Sequence, residues 1–391
     1  DQGTGYRYDM GFQGAARDPL QHALPFILTD PNVTKSIMRY TLKELHPPTR
    51  EPGDTIWNLP YFVIGHGIVG PPDPTAVVGA RPSDEELYLL YVATEYVLAT
   101  KDVEFLTETV QAYNSTLKRT VLRCLVDSYE YITTHIGVGS HGILRMQTGD
   151  WNDVFVQEAM NGGSTRAEVI ASGESSTNAA MAAAILPRFA EMIELAAKLT
   201  GDHQYQNLTA GVFQFAESQA AALKAFAWNG EWLNRAWIPL PKNASGGGPG
   251  AKQFPGGWAC TNGVDDRLCL EPQPWAIIAS TPHRSSSTKR NGSNKAAVLD
   301  AAQTATLVES MRNKLGSPLG STVLSRAFAR TTDSARAEVG VGGADRSRSG
   351  DAADAGQHEN GGVWASQNHP LVLALASVNA TAALEKWLRN T

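Results

Sequence analysis

The sequence predicts an all-α protein in which helical hairpins pack in a ring. Two observations predict it. Six stretches carry apolar residues at three- and four-residue spacing, the period of one face of a helix. Between them lie short links alternating with long polar or glycine-rich segments that cannot build a core. Such a pattern gathers the long loops at one end of the ring, which is where a site would sit. No internal sequence repeat accompanies it.

The helices follow in order. "DEELYLLYVATEYVLAT" (84–100) opens after Ser83, an ordinary start signal, and "TLKRTVLRCLVDSYEYITTHI" (116–136) comes next. "SSTNAAMAAAILPRFAEMIELAAKLTG" (175–201) stops at Gly201, and "YQNLTAGVFQFAESQAAALKAFAW" (205–228) follows it. The last two are "KAAVLDAAQTATLVESMRNKLG" (295–316) and "HPLVLALASVNATAALEKWLRN" (369–390). The longest connecting stretches are 239–258 and 333–357, and loops of that length are functional or disordered.

A length of 391 residues suffices for one large domain or two ordinary ones; the ring takes 1–391 as one. With 42% hydrophobic and 18% charged residues the composition is globular, and the apolar runs are too short to span a bilayer. A net charge of -6, with no basic run beyond "STKRNGS", excludes the electrostatic footprint of a nucleic-acid or anionic-membrane partner. Neutral or polar substrates fit better.

Cys260 and Cys269 bracket "CTNGVDDRLC", a spacing that a disulfide closes if the backbone turns; two unrelated thiols is the other reading. Six sequons, at Asn32, Asn114, Asn207, Asn243, Asn291 and Asn379, point the same way as the bridge. Together they predict a secreted or extracellular glycoprotein, with Cys124 a buried free thiol in mid-helix. Beginning at Asp1 without a signal-like segment, the sequence reads as a mature or excised piece, with other chains or fragments of a larger precursor as candidate partners.

Several familiar motifs fail. "GHGIVG" (65–70) runs into "PPDP" instead of opening a helix, and "GVGSHG" (137–142) follows a helix, so both are glycine-rich turns and not dinucleotide fingerprints. H-E-x-x-H, G-x-S-x-G, a Walker loop and paired C-x-x-C are absent, and the nine histidines are scattered. The expectation is no metal and no cofactor.

What holds is a set of loops mixing aromatics, acids and amides: "GYRYDMGFQGAARDPLQ" (5–21), "QTGDWND" (147–153), "WNGEWLNRAW" (228–237), "LEPQPWAIIA" (270–279) and "HENGGVW" (358–364). A sugar needs this mixture, because an aromatic covers the apolar ring face while carboxylates and amides bind hydroxyls. Glu231, Trp232, Glu271, Gln273 and Asn360 are candidate sugar contacts on that ground; for Trp228, Trp232 and Trp275 plain core packing is the competing reading.

In this order the five segments resemble the catalytic domain of the cellobiose and chitobiose phosphorylase family, inverting glycoside phosphorylases with an (α/α)6 barrel. The resemblance covers nearly the whole chain, without the family's N-terminal β-sandwich or C-terminal segment. It implies that Asp153, the last acid of W-N-D, is the general acid, and that Asp150 and Trp151 line the subsite of the transferred sugar. It implies further that Arg17 or Asp18 binds that sugar's hydroxyls and that Glu359 of "ENGG" stands at the same mouth. An inverting enzyme needs one protonated carboxyl for the leaving oxygen while the nucleophile arrives from the opposite face.

The chain departs from the family in two places. "GFQG" stands where the family has "GFRD", so Gln13 and Gly14 replace an Arg and an Asp. "WASQNHP" stands where the family places a phosphate-binding His, with Ser366 near that position and His369 displaced toward the proline. Sugar binding is thus better supported than phosphate binding. The readings are an inverting phosphorylase acting on a β-linked oligosaccharide or glucan with inorganic phosphate as co-substrate, an inverting hydrolase with Glu359 as base, and a non-catalytic carbohydrate-binding glycoprotein on the same fold.

Overall fold

The computed structural model describes residues 12–15, 17–45, 62–64, 82–112, 116–147, 149–152, 166–239, 257–261, 266–281, 297–327 and 361–378. Helix outweighs strand several-fold among them. The chain divides into two compact units: one from residues up to 137 with 185–213, the other from 138–184 and most of the chain beyond 213.

In the first unit, α1 (Arg17–Ala23), α2 (Phe26–Thr29) and α3 (Pro31–Lys43) precede α4 (Glu85–Thr100), α5 (Glu104–Thr107) and α6 (Val121–Tyr131). The periodicity reading missed the first three. α3 is locally specified all the same: Pro31 sits in its first turn and the Asp30 side chain accepts from the Asn32 amide. α4 starts one residue later than Ser83 suggested, with Asp84 at its N-cap, and it is buried nearly all round, packing against α1, α3 and α6. The stretch predicted as helix from 116 begins instead as a strand. β4 (Lys118–Thr120) pairs antiparallel with β3 (Thr109–Gln111), and Thr120 then caps α6 by accepting from the Arg123 amide. Cys124, wholly buried in α6, is a free thiol that burial first, and the Asp127 charge next, push up to about 12. A π turn over Ile132–Ile136 follows α6, and a strand pair, β1 (Phe12–Ala15) with β2 (Phe62–Ile64), also belongs to this unit.

α7 (Arg166–Ser172) precedes α8 (Ser176–Thr200), which ends at Gly201, a glycine with φ +75° whose amide donates to the Ala197 carbonyl. α9 (Leu208–Ala222) runs into a π turn over Leu223–Ala227. In the second unit, α10 (Pro272–Ser280) packs against α12 (Ala365–Ser377), which begins four residues before the predicted start; 379–390 lies outside the described residues. α11 (Ala301–Leu315) begins at 301 and not 295 because Asp300 and Gln303 form a reciprocal capping box.

The sequence reading did not foresee the second unit's three-stranded antiparallel sheet of β5 (Glu174–Ser175), β6 (Ala236–Ile238) and β7 (Gly257–Ala259). Directly opposed residues share a face and neighbours along a strand do not. Glu174, Trp237 and Trp258 therefore line one face, and Ser175, Ala236 and Ala259 the other. Met146, Val169, Ala236, Ile238, Ala259, Leu324 and the disulfide-bonded Cys260 and Cys269 form a buried cluster. A small hairpin of β8 (Gly316–Ser317) and β9 (Gly320–Ser321) follows α11.

Candidate functional site

The described residues of "QTGDWND", Gln147 and 149–152, lie in the second unit. Gln147 adopts a positive φ of 54°, and the Gly149 amide donates to the Met146 carbonyl. Asp150 is thereby carried fully inside, where its Oδ1 accepts the Asn152 amide at 3.1 Å. Arg235, just before β6 and also fully buried, holds it with two hydrogen bonds, Nη1 to Oδ2 at 2.7 Å and Nη2 to Oδ1 at 2.5 Å. The Ser175 hydroxyl adds a third donor at 2.6 Å. Burial pushes the Asp150 carboxyl up, but the Arg235 charge and these donors outweigh it and hold it below the usual carboxylate range.

A second carboxylate shares the same cation. Glu271, at the N-cap of α10, receives the Asn152 side-chain amide at 2.6 Å and lies 3.6 Å from Arg235 Nε through Oε2. Burial pushes its carboxyl up; Arg235 and Asn152 oppose this only in part, and Asp150 adds to it. One guanidinium cannot fully compensate two buried carboxylates, so Asp150 stays ionised and Glu271 is driven toward its neutral form. Asn152 ties the two acids together.

Trp151, almost wholly buried, meets Trp364 edge-on at 5.2 Å between ring centroids. Trp232 is sealed in the interior, its indole N–H donating to the Cys260 carbonyl at 2.7 Å with Lys314 4.7 Å from its ring. Gln273 spends its side chain on backbone, accepting from the Leu233 amide and donating to the carbonyls of Leu233 and Cys269. Both brace the fold where composition suggested sugar contacts. Glu231 is half-buried in the turn that Asn229 closes.

Arg17 and Asp18 belong to the first unit. Arg17 is buried, and its Nη1 donates to both oxygens of Asp84 at 3.3 and 3.2 Å, while Asp18 is half-buried. Beside Asp84, burial and then the Asp84 charge push the Glu85 carboxyl well above its usual range, against the pull of Arg17.

Asp153, Glu359 and Asn360 lie outside the described residues, as do Asn114, Asn243, Asn291 and Asn379; Asn32 and Asn207 are exposed. The tertiary structure thus joins Asp150 and Glu271, and adds Arg235, Ser175 and Asn152, which the sequence reading passed over. One signal was there: an acid destined for burial needs a buried base, and Arg235 stands within "WNGEWLNRAW". Among the described residues no group of three or more His, Cys, Asp or Glu is placed to hold a metal, and no helix is long and apolar enough to cross a membrane.

The family model described as glycosyl hydrolase 94 superfamily, catalytic domain, matches residues 3–292 of this chain. Asp150, Asp153, Arg235 and Glu271 fall within that span; Glu359 and Asn360 follow it. No curated protein matches the chain.

Proposed function

The chain belongs to the glycosyl hydrolase 94 superfamily, and from that membership we propose a carbohydrate-active enzyme of the inverting glycoside phosphorylase type. The family acts on oligosaccharides and its catalytic domains are helical barrels. This reading takes 1–391 as one catalytic-type domain of (α/α)6 form. Asp153 hands its proton to the glycosidic oxygen as the bond to the anomeric carbon breaks. A phosphate oxygen attacks that carbon from the opposite face, giving an inverted sugar 1-phosphate and a shortened sugar. No cofactor is needed.

One observation carries the proposal: the segment leading to Asp153 is fastened at Asp150 by Arg235 and Ser175, and at Asn152 by Glu271. A proton donor must be held to a fraction of an ångström, and a buried ion network is a rigid way to hold one. Trp151, between those two anchors, is buried against Trp364 and helps to fix the segment.

A second reading, hydrolysis with Glu359 as base, is favoured by the segment where the family binds phosphate. Asn368 gives its side chain to the backbone of Ser321 and Trp364, and burial lowers the pKa of His369, leaving a neutral imidazole. In an inverting hydrolase the two carboxyls would stand roughly 6.5–9.5 Å apart, with room for water. The non-catalytic reading needs no turnover at all. A screen of β-linked disaccharides with and without phosphate separates the three. Phosphate-dependent release of sugar 1-phosphate supports the first, phosphate-independent cleavage the second, and no cleavage sinks both. Secretion, with N-glycans on exposed Asn32 and Asn207, agrees with the Cys260–Cys269 bridge.

A further inference from the structure

The glycine-rich turn "GVGSHG" has a structural task. Val138 bridges Leu144, the Gly139 amide donates to Ile143, and the Gly142 amide returns to Gly139. This delivers His141 to the tryptophan face of the β5–β6–β7 sheet. Glu174 Oε1 there receives the Ser140 hydroxyl, the His141 amide and His141 Nδ1, each at 3.1 Å. A Cβ at 139 would stand 2.3 Å from Glu174 Oε1, so any side chain there would push Glu174 out of this arrangement.

Three rings surround His141: Trp237 at 4.6 Å, Phe226 at 5.2 Å and Trp258 at 5.3 Å between centroids. Trp237 and Trp258, opposed in the ladder, lie 5.6 Å apart and 71° from parallel. None of the four is sealed in: both tryptophans and His141 are partly open to solvent, and Phe226 is 48% exposed. Rings gathered this way serve a core only when it closes over them.

We propose that this face is a second carbohydrate-binding surface, which takes a neutral oligosaccharide by stacking a sugar ring on Trp237 or Trp258. The inference rests on the carbohydrate reading of the family. A carboxylate only accepts, so Nδ1 carries the proton shared with Glu174, and Nε2 is the ring nitrogen left for a ligand. Nε2 has no hydrogen-bond partner among the described residues, and a sugar hydroxyl would supply one. A quaternary ammonium is a poor occupant, because His141 already fills the space between the rings. The surface is separate from the Asp150 network: Ser175, which donates to Asp150, points to the opposite face of the sheet from Glu174, Trp237 and Trp258.

The test is calorimetric titration of the full chain carrying Asp153→Asn, which stops turnover, with cellohexaose and with chitohexaose. Trp237→Ala combined with Trp258→Ala is expected to weaken binding of at least one of them roughly tenfold or more. Unchanged affinity in the folded variant overturns the proposal, and so does the absence of binding of both hexasaccharides before the tryptophans are altered. If the double variant does not fold, His141→Ala and Phe226→Ala take its place, and unchanged affinity in both is equally fatal. Disaccharide turnover in the chain with Asp153 intact is read separately. Tryptophan-dependent binding without turnover refutes the catalytic reading alone, and turnover with tryptophan-independent binding refutes this one alone.

Discussion

Arg235 holds Asp150 through two hydrogen bonds, at 2.7 and 2.5 Å, with both side chains fully buried and 85 residues apart in the chain. Neither group would tolerate burial alone. Replacing Arg235 by Met is expected to cost about 3–5 kcal/mol in chemical denaturation, since it leaves the buried Asp150 charge uncompensated, and Asp150→Asn should cost less, because Glu271 still faces the guanidinium. The double variant should cost less than the sum. The Asp150 carboxyl is held low, so its contribution is present above the usual carboxylate pKa of about 3.9 and lost as pH falls through its folded value. Asp150→Asn should abolish that acid-side dependence.

Glu271 has the opposite sign. Its folded pKa is raised, so its contribution to stability is full below the usual value of about 4.3 and declines as pH rises through the folded pKa. Glu271→Gln keeps an acceptor for Asn152 without the charge. Relative to wild type it should therefore gain stability with rising pH. Denaturation midpoints across pH 4 to 8 that stay parallel would refute this.

Asp153→Asn keeps the side chain's shape and removes its proton. Turnover should fall by roughly two to four orders of magnitude while sugar affinity changes little. Equal rates in wild type and variant on every substrate that is cleaved would remove Asp153 from the mechanism.

Cys124 is wholly buried, with its thiol pushed up to about 12, and Cys260 is bonded to Cys269. The native chain should take up no thiol reagent at pH 8. Denatured without reductant, it should take up one equivalent of its three cysteines. Uptake of three would mean that the bridge does not exist.

Gly139→Ala should destabilise the fold by about 1–3 kcal/mol, because the new methyl meets the Glu174 side chain. Glu174→Ala removes the atoms it would strike. Added to Gly139→Ala it should recover part of that loss in thermal unfolding, and strictly additive effects would show that the contact is not the cause.

The sequence by itself determined the helices whose signals are local. α4 and α8 fall within one residue of their predicted bounds because three- and four-residue spacing and a terminal glycine act within a few turns of chain. It also marked Asp150 and Glu271 as acids in aromatic company. Only the tertiary structure decided which groups neutralise them: Asn152 meets Glu271 across 119 residues, and Arg235 reaches both carboxylates from a loop quoted for its tryptophans. The sheet was invisible for a related reason. Strands of two or three residues carry too little alternation to read, and their pairing is a long-range event fixed by what each face buries. For buried charges and short strands the energy lies in the partner, and the partner is known only once the chain has folded.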